Sequence, residues 1–513
     1  MDFIEDATRI RQQLDQPKTS NQAAATLYPK VANNSDAFVE IQGGMHEFPY
    51  LELLDLYDDF WAWTLGYLGS PESPVVYVPE ALQFRRFNPG KGIFEPVSEP
   101  ALIGELLTKL DACAALFPQR LRLNSYLTLK NRQRLKSVVE RAKDLLAVDA
   151  EFFQPKPHTL ALKNGILDLA SNILHDFTPA RPITETLPVK FDAEARCDIF
   201  LNSFLRHVLP EQDIDLLQRY LGQILEGTNH SQTILLLNGE SGWGKSTLIK
   251  ILGGILGWKQ VGIIRDQVFK SDRELPHYLG KRFLLHPDMP TDFLDRRDAS
   301  LFKQLVGGDP IWAEDASGHM LTIEGNFPCI LASNGKPRLR IDSDHEAWRR
   351  RLLVVPFKAA EHDQHLGKMA ELIVRTEASG ILNWLLEGRR KLVKAKFQMT
   401  MTGEQQRRTT ALVMASQSPK AFVQSCLQRK AGAEMGITEL YSHYQQWCVQ
   451  NQMTPFAGQG FNQMAKDEIE MTFGLRYRHD LESAAGKAVR GWKELAMVQT
   501  EPANVDSESA GSE

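Results

Sequence analysis

Residues 233–256 read TILLLNGESGWGKSTLIKILGGIL. Here a lysine and two hydroxyls stand directly after a glycine-rich turn. The apolar run 234–237 predicts a buried strand. Gly239, Glu240, Ser241, Gly242, Trp243 and Gly244 form the turn, and Lys245, Ser246 and Thr247 open an apolar helix. The spacing is G-x-x-x-x-G-K-[ST], in the strand–loop–helix setting that this motif requires. Successive backbone N–H groups in such a loop make a nest for phosphate oxygens. The helix N-terminus adds the positive end of its dipole. Lys245 is then expected to reach the β- and γ-phosphates and the Ser246 hydroxyl to hold Mg²⁺. The plain alternative is a glycine-rich turn beside an unrelated lysine. The motif specifies a nucleoside triphosphate, not the use made of its energy.

Three more elements follow in order. The run 282–285 predicts a second strand, ending in His286, Pro287 and Asp288. A carboxylate at the end of a buried strand can hold Mg²⁺ or polarise the attacking water. Asp288 is the candidate and Asp292 the weaker alternative. A third strand, 329–332, ends in Ser333 and Asn334, whose amide can orient water beside a γ-phosphate. Ser-Asn-Gly is also a common turn, so this element gains its value from the order. Arg349, Arg350 and Arg351 precede a fourth strand, 352–355. They suit either a solvated edge or a guanidinium presented to a neighbouring subunit's γ-phosphate. An arginine finger of that kind contributes a rate factor on the order of 10³–10⁵, and it implies a head-to-tail ring.

The order GESGWGKST, GKRFLLHPD, LFKQLVGGDPI, CILASNGKPRL, AWRRRLLVVPF resembles the superfamily 3 helicase core. More narrowly, it resembles the phage and plasmid primase-helicases related to the poxvirus primase-helicase. The segment LKNGILDL…DFTPARPIT…LP is similar to the region that precedes the helicase in that group, and the likeness runs over roughly residues 85–500. The resemblance implies an AAA+-type core, a hexameric ring, ATP with Mg²⁺, and ATP-driven movement along DNA. By position it assigns Gly239 to Thr247 to the phosphate loop, Ser246 and Asp288 to the metal, Asn334 to the sensor, and Arg349 or Arg350 to the finger.

Two departures matter. The group often carries a glutamate or two acids at the strand end, where Pro287-Asp288 stands here, so the identity of the base stays open. The group also has a hairpin after the GGD element that points basic residues into the pore. Here IWAEDASGHMLTIEGNF holds His319 but no lysine or arginine, while Glu314, Asp315 and Glu324 repel phosphate. Either His319, Lys303 and backbone amides contact DNA, or translocation is unusual. Residues 1–150 show no paired-aspartate strand or zinc-binding cysteine cluster, so the chain is not expected to make primers. A separate primase or polymerase is an expected partner.

These residues need elements to hold them. The 513 residues suggest roughly three domains. The expected class is α/β: a P-loop AAA+-type helicase core, an α+β N-terminal domain and a C-terminal winged helix. The expected boundaries are a 1–40 extension, an associated domain over 41–195, the ATPase over 196–400, a winged helix over 417–498 and a disordered acidic tail over 499–513. Apolar spacing predicts helices over 102–116, 135–146, 199–225 and 365–395, and strand-like pieces at 74–78 and 163–168. Residues 400–408 read as a polar connection. The five cysteines are scattered without a C-x-x-C pair, so they read as reduced and mostly buried. No apolar run spans a bilayer and no signal-peptide pattern opens the chain. A cytoplasmic location and no membrane partner are therefore expected.

Net charge is −5, and four acids lie in the last thirteen residues. Near-neutrality leaves room for local basic patches. In the C-terminal module, 437–447 and 461–469 predict helices. The following LRYRHDLESAAGKAVRGWKELAM predicts two strands around a turn. Arg476, Arg478, His479, Lys487, Arg490 and Lys493 lie on or beside that hairpin, where a wing can touch DNA phosphates. A solvated hairpin or a partner-binding module fits equally. Tyr441, Tyr444, Trp447 and Phe461 read as core. The leading expectation is an ATP-dependent DNA helicase or translocase in the replication of a phage, plasmid or mobile element. The alternatives are an origin-binding initiator that melts DNA, distinguished by base-edge contacts, and a regulatory ATPase that controls assembly.

Overall fold

A computed structural model describes residues 38–41, 44–47, 64, 68–116, 130–149, 151–154, 156–265, 268, 272–295, 300–315, 317–339, 345–359, 366–451, 453, 455–482 and 488–498. The expected 499–513 tail and nearly all of the 1–40 extension lie outside them. Two compact units divide the chain. One is Met1–Cys197 with Gly254–Gly257 and Val374–Leu386. The other is Asp198–Gly253, Trp258–Ile373 and Glu387–Glu513.

In the first unit, β1 (Phe38–Ile41) and β2 (Gly44–Glu47) pair as a hairpin. Strands β3 (Val75–Val78), β4 (Gln83–Asn88) and β5 (Ile93–Val97) form an antiparallel sheet. Helices α1 (Glu99–Leu116) and α2 (Arg132–Leu145) share its core. Leu102, Leu106 and Leu110 recur every fourth residue, and Leu135, Val138, Val139 and Ala142 make the matching stripe. All seven are buried with Val75, Tyr77 and Phe84. A second small sheet joins β6 (Thr159–Leu162), β7 (Gly165–Asp168) and β8 (Leu174–His175).

The second unit begins with a π-helical stretch, Ile199–Leu205, that runs into Arg206–Val208. The expected helix over 199–225 is therefore not continuous. Pro210, which cannot donate an amide hydrogen bond, ends this first piece and stands as N-cap of α3 (Glu211–Ile224). Strand β9 (Ile234–Asn238) leads through the glycine loop into α4 (Lys245–Leu256). Then come β10 (Val261–Ile263), β11 (Phe283–His286) and α5 (Ser300–Gly307). An antiparallel hairpin follows, β12 (Asp309–Glu314) with β13 (Met320–Gly325). After β14 (Cys329–Ser333), α6 (His345–Arg351) and β15 (Leu352–Pro356), the long α7 (Leu366–Lys394) closes the region.

Five of these strands form one parallel sheet in the order β10–β11–β14–β9–β15. Ile234 to Leu237, Phe283 to His286 and Cys329 to Ser333 are buried throughout, as expected of parallel strands covered on both faces. The Tyr220 hydroxyl of α3 accepts from the Cys329 amide at 2.8 Å and donates to the Cys329 carbonyl at 2.7 Å, which pins the start of β14. Among the described residues no helix is long and apolar enough to cross a membrane.

Residues 400–408 are more than a connection. Thr402 and Gln405 form a reciprocal capping box that starts α8 (Gly403–Ser416). Arg408 then forks onto Asp213 of α3, with Nη1 donating to Oδ2 at 2.9 Å and Nη2 to Oδ1 at 2.5 Å. Gln405 Nε2 donates to the same carboxylate at 2.9 Å. Helix α9 (Ser418–Cys426), β16 (Leu427–Gly436), α10 (Ile437–Gln450), α11 (Gly458–Phe473), β17 (Arg478–Glu482) and β18 (Ala488–Met497) are the last elements among the described residues. The sheet order is β16–β18–β17. Strand β16 carries no β-type pattern and was not expected. Its register shifts between Arg429 and Glu434, where Gly432 takes φ +77°. Tyr444 and Phe461 are fully buried in this module, and Tyr441 and Trp447 pack against the same core. Of the cysteines, Cys197, Cys329 and Cys448 are buried, Cys426 is half-buried, and all four are free. The Cys113 side chain lies outside the described residues.

Candidate nucleotide-binding site

The parallel register brings the C-terminal ends of β9, β11 and β14 to one edge: Ser333 lies beside Asn238, and His286 beside Leu331. In open α/β sheets, ligands bind at that edge. The loop from Gly239 to Gly244 leaves β9 there. Gly239, Gly242 and Gly244 take φ of +156°, +86° and +100°. A Cβ on Gly239 would meet the Phe357 carbonyl at 2.8 Å, and one on Gly244 the Phe204 ring at 3.1 Å. The backbone therefore needs glycine at these turns. Glu240, Ser241 and Gly242 are exposed, Trp243 is half-buried, and Ser246 presents its hydroxyl at an exposed position while Thr247 is buried.

Lys245 is only 6% exposed. Its Nζ donates to the carbonyls of Gly239 at 2.5 Å and Glu240 at 2.9 Å, across the mouth of the loop. Burial holds this ammonium below the ordinary lysine value, and the Asp288 carboxylate acts in the opposite direction. Asp288 and Asn334 meet at the ends of β11 and β14, where Asn334 Nδ2 donates to Asp288 Oδ1 at 2.9 Å. The backbone beneath them is tied down. Met289 N donates to Ala332 O at 2.6 Å, Ser333 Oγ to Met289 O at 3.2 Å, and Gly239 N to Ser333 O at 3.3 Å. Asp292 is half-buried in the following turn. One positioning residue escaped the sequence reading. Asn238 donates through Nδ2 to the Gly335 carbonyl and so joins the phosphate-loop strand to the segment after Asn334. A polar residue closing an otherwise apolar strand was the available signal.

Arg349 and Arg350 do not join this cluster. They lie in the last turn of α6, just before β15, whereas β15 runs parallel to β9 with Leu352 beside Ile234 and Pro356 beside Asn238. The two ends of these strands are separated by roughly 13–17 Å at 3.3 Å per residue. The arginines thus stand at the far edge of the sheet from Lys245. Arg349 pairs with Glu346 at 2.8 Å, Arg350 is exposed, and Arg351 is buried with Nη1 donating to Ala347 O at 3.3 Å.

The expected DNA contacts are dispersed. Lys303 lies over the Trp348 indole at 5.4 Å. His319 sits at the tip of the β12–β13 hairpin, where Asp315 Oδ1 accepts from the amides of Ser317 and His319 at 2.7 and 3.0 Å. The outward face of that hairpin carries Trp312 and Met320, 66% and 63% exposed, rather than cations. In the C-terminal module several of the cations face acids. Arg478 forks onto Asp480 at 2.8 and 2.6 Å, Arg476 lies 3.8 Å from Glu470, and Lys493 3.5 Å from Glu434. The Arg478 guanidinium holds the Asp480 carboxyl down at about 2. Arg490 and His479 are exposed, and Lys487 lies outside the described residues. The module holds nine Lys and Arg against eight Asp and Glu, so its basic patch is largely cancelled.

Two family models match this chain. Residues 98–210 match a domain described as D5 N terminal like. Residues 237–351 match a family of unknown function, DUF5906, a span that takes in every residue of the nucleotide site and both arginines. A protein of Acanthamoeba polyphaga mimivirus named "Putative helicase L207/L206" is 26% identical over 255 residues. That alignment takes in 47% of this chain and 26% of the mimivirus protein, so the chain matches about a quarter of that relative's length. Two apo structures of the NrS-1 C-terminal region align with TM-scores of 0.44 and 0.42 at 12% identity. Each covers 84% of this chain and 98% of its own. The chain carries a D5-like N-terminal segment and is similar to the primase-helicases of phages and viruses.

Proposed function

We propose that this chain is an ATP-driven motor on DNA, a superfamily 3 helicase or translocase that works as a ring of identical subunits in replicating a phage, plasmid or mobile element. The observation that carries the reading is the gathering of the glycine loop, Lys245, Asp288 and Asn334 at one sheet edge, with Arg349 and Arg350 at the opposite edge. The strand order, with the loop strand β9 between β14 and β15, supports an AAA+-type P-loop core. The order α9–β16–α10–α11–β17–β18, with β18 central in its sheet, supports a winged helix.

In this reading the amides of Gly239 to Thr247 and the Lys245 ammonium bind the phosphates of ATP. Ser246 and Asp288 would hold Mg²⁺, whose charge offsets that of the phosphate oxygens. The residues present suit both: the loop is open to solvent over Glu240 to Gly242, and an exposed hydroxyl and an exposed carboxylate flank it. Asp288 also orients the attacking water and accepts its proton, and Asn334 fixes the carboxylate. Arg349 and Arg350 stand at the opposite edge of their own subunit's sheet, so in this reading the finger comes from the next subunit, which requires a ring.

ATP turnover with and without single-stranded DNA tests the reading. Turnover rises with DNA, and Lys245→Ala abolishes it. Turnover that survives Lys245→Ala removes the site assignment. The hairpin without lysine or arginine favours a second reading, a regulatory ATPase in which nucleotide controls assembly. That reading expects ATP-dependent assembly without strand displacement on forked DNA. The ion-paired cations of the C-terminal module speak against an origin-binding initiator that reads sequence there.

A further inference from the structure

Helix α2 opens on a dense run of positive charge. Residues 130–143 hold six Lys and Arg and one acid, Glu140. Two of the six, Lys130 and Lys143, stand in ion pairs with nearby acids. Lys130 pairs with Asp111 of α1 at 2.8 Å, and Lys143 with Glu99 and Glu140 at 2.7 and 2.8 Å. Arg132, Arg134 and Lys136 are exposed in the first two turns. The buried stripe of Leu135, Val138, Val139 and Ala142 sets their directions. Arg132 and Lys136, four residues apart, line one flank of the exposed ridge, and Arg134 lines the other. Gln133 and Ser137 lie between, so hydrogen-bonding side chains sit within a frame of three cations. No acid stands in this first turn, and the Asn131 side chain already caps the Gln133 amide at 2.8 Å.

Cations at a helix N-terminus oppose the helix dipole and lower stability, and acids are the stabilising choice there. Arg132 and Arg134 stand in the first turn of α2 and Lys136 in the next, and a polyanion laid on this face offsets their charge. We infer that the N-terminal half of α2 is a binding surface for the phosphate backbone of a DNA strand, separate from the hairpin and the C-terminal module. The inference rests on the reading of this chain as a DNA motor. It gives that motor the cationic contact that the β12–β13 hairpin lacks and that the module's ion pairs cancel.

The test uses the full chain and fluorescein-labelled oligothymidylate, with anisotropy followed over a salt series. Arg132→Gln/Arg134→Gln/Lys136→Gln is expected to bind about ten-fold more weakly at about 0.15 M salt. Its slope of log affinity against log salt falls by about two, because each single-strand phosphate contact contributes about 0.7. The variant Arg132→Lys/Arg134→Lys/Lys136→Arg binds like the parent. A control with three cations removed elsewhere, Lys394→Gln/Lys396→Gln/Arg407→Gln, also binds like the parent. An unchanged melting temperature shows that the first variant is folded. Parental affinity and slope in that variant overturn the inference, as does equal weakening in the control. Displacement by polyglutamate as effective as by unlabelled DNA reassigns the surface to an acidic protein and also overturns it. The motor reading is judged separately: a parent chain that binds no DNA removes both, whereas a parent that binds and is DNA-stimulated, with an unaffected triple variant, removes this inference alone.

Discussion

Asn334 donates a 2.9 Å hydrogen bond to Asp288 across the ends of two neighbouring parallel strands. An amide that donates to a carboxylate fixes the rotamer of the carboxylate and leaves its second oxygen to act. Under the proposed mechanism, Asn334→Ala lowers the turnover number for ATP by about 100-fold, the usual cost of one preorganised polar group. The Michaelis constant changes little, because Asn334 is not part of the phosphate loop. Asn334→Asp is worse, since it sets two carboxylates against each other. Steady-state kinetics of the two variants decides the point. A large rise in the Michaelis constant with unchanged turnover would place Asn334 in binding instead.

The lowered value of Lys245 gives a pH signature. Burial disfavours its charged form, so the folded chain binds fewer protons than the unfolded chain in the window just below the ordinary value of 10.5. Stability without nucleotide therefore rises as pH climbs through that window. Triphosphate reverses the shift by placing negative charge at Nζ. ATP binding then takes up protons within the window. Calorimetry in two alkaline buffers of different ionisation heat measures the uptake, and Lys245→Met removes it. Equal uptake in the Met variant assigns the proton to another group.

The loop, the two strand ends and the arginine-rich stretch were legible because their signals are local. A buried parallel strand is a continuous apolar run, and β9, β11, β14 and β15 each end in a residue unlike the run. The expected Asp288 and Asn334 meet because β11 and β14 lie side by side in register in one parallel sheet. The interruption of the 199–225 helix was visible only as Pro210, which the surrounding apolar spacing obscured. Strand β16 was not legible. LQRKAGAEMG has neither alternation nor β-branched residues, and its pairing with β18 fixes its shape. The cancellation of the C-terminal basic patch was also beyond the sequence reading. Glu434, Glu470 and Asp480 are ordinary surface acids until folding sets them beside Lys493, Arg476 and Arg478. The bond between Asn238 and Gly335 likewise joins segments far apart in the chain.

The Asp213–Arg408 pair is a second long-range relationship, and it concerns stability. Asp213 is fully buried in α3, and its two oxygens take the Arg408 fork and the Gln405 amide. Arg408→Met removes the partner and leaves a buried charge, which costs about 3–5 kcal/mol. The paired change Asp213→Leu/Arg408→Met recovers most of that loss, because removing both charges also removes the desolvation cost. Denaturant unfolding of the two variants measures the difference. A loss under about 1 kcal/mol in Arg408→Met shows that water reaches Asp213.

The far-edge position of Arg349 and Arg350 makes a prediction about assemblies that single chains cannot test. A chain with Arg349→Ala/Arg350→Ala keeps its own loop, Asp288 and Asn334. A chain with Lys245→Ala keeps its arginines. Each is inactive alone if the active site is shared between subunits. Mixed in equal amounts, they create sites in which the loop of the first faces the arginines of the second. Random pairing in a head-to-tail ring makes about one site in four competent. DNA-stimulated turnover should therefore appear in the mixture, peak near equal proportions and fall on either side. Native mass spectrometry establishes that mixed assemblies have formed. If they have formed and turnover stays absent at every ratio, Arg349 and Arg350 do not serve a neighbour's site, and the need for a ring falls with them.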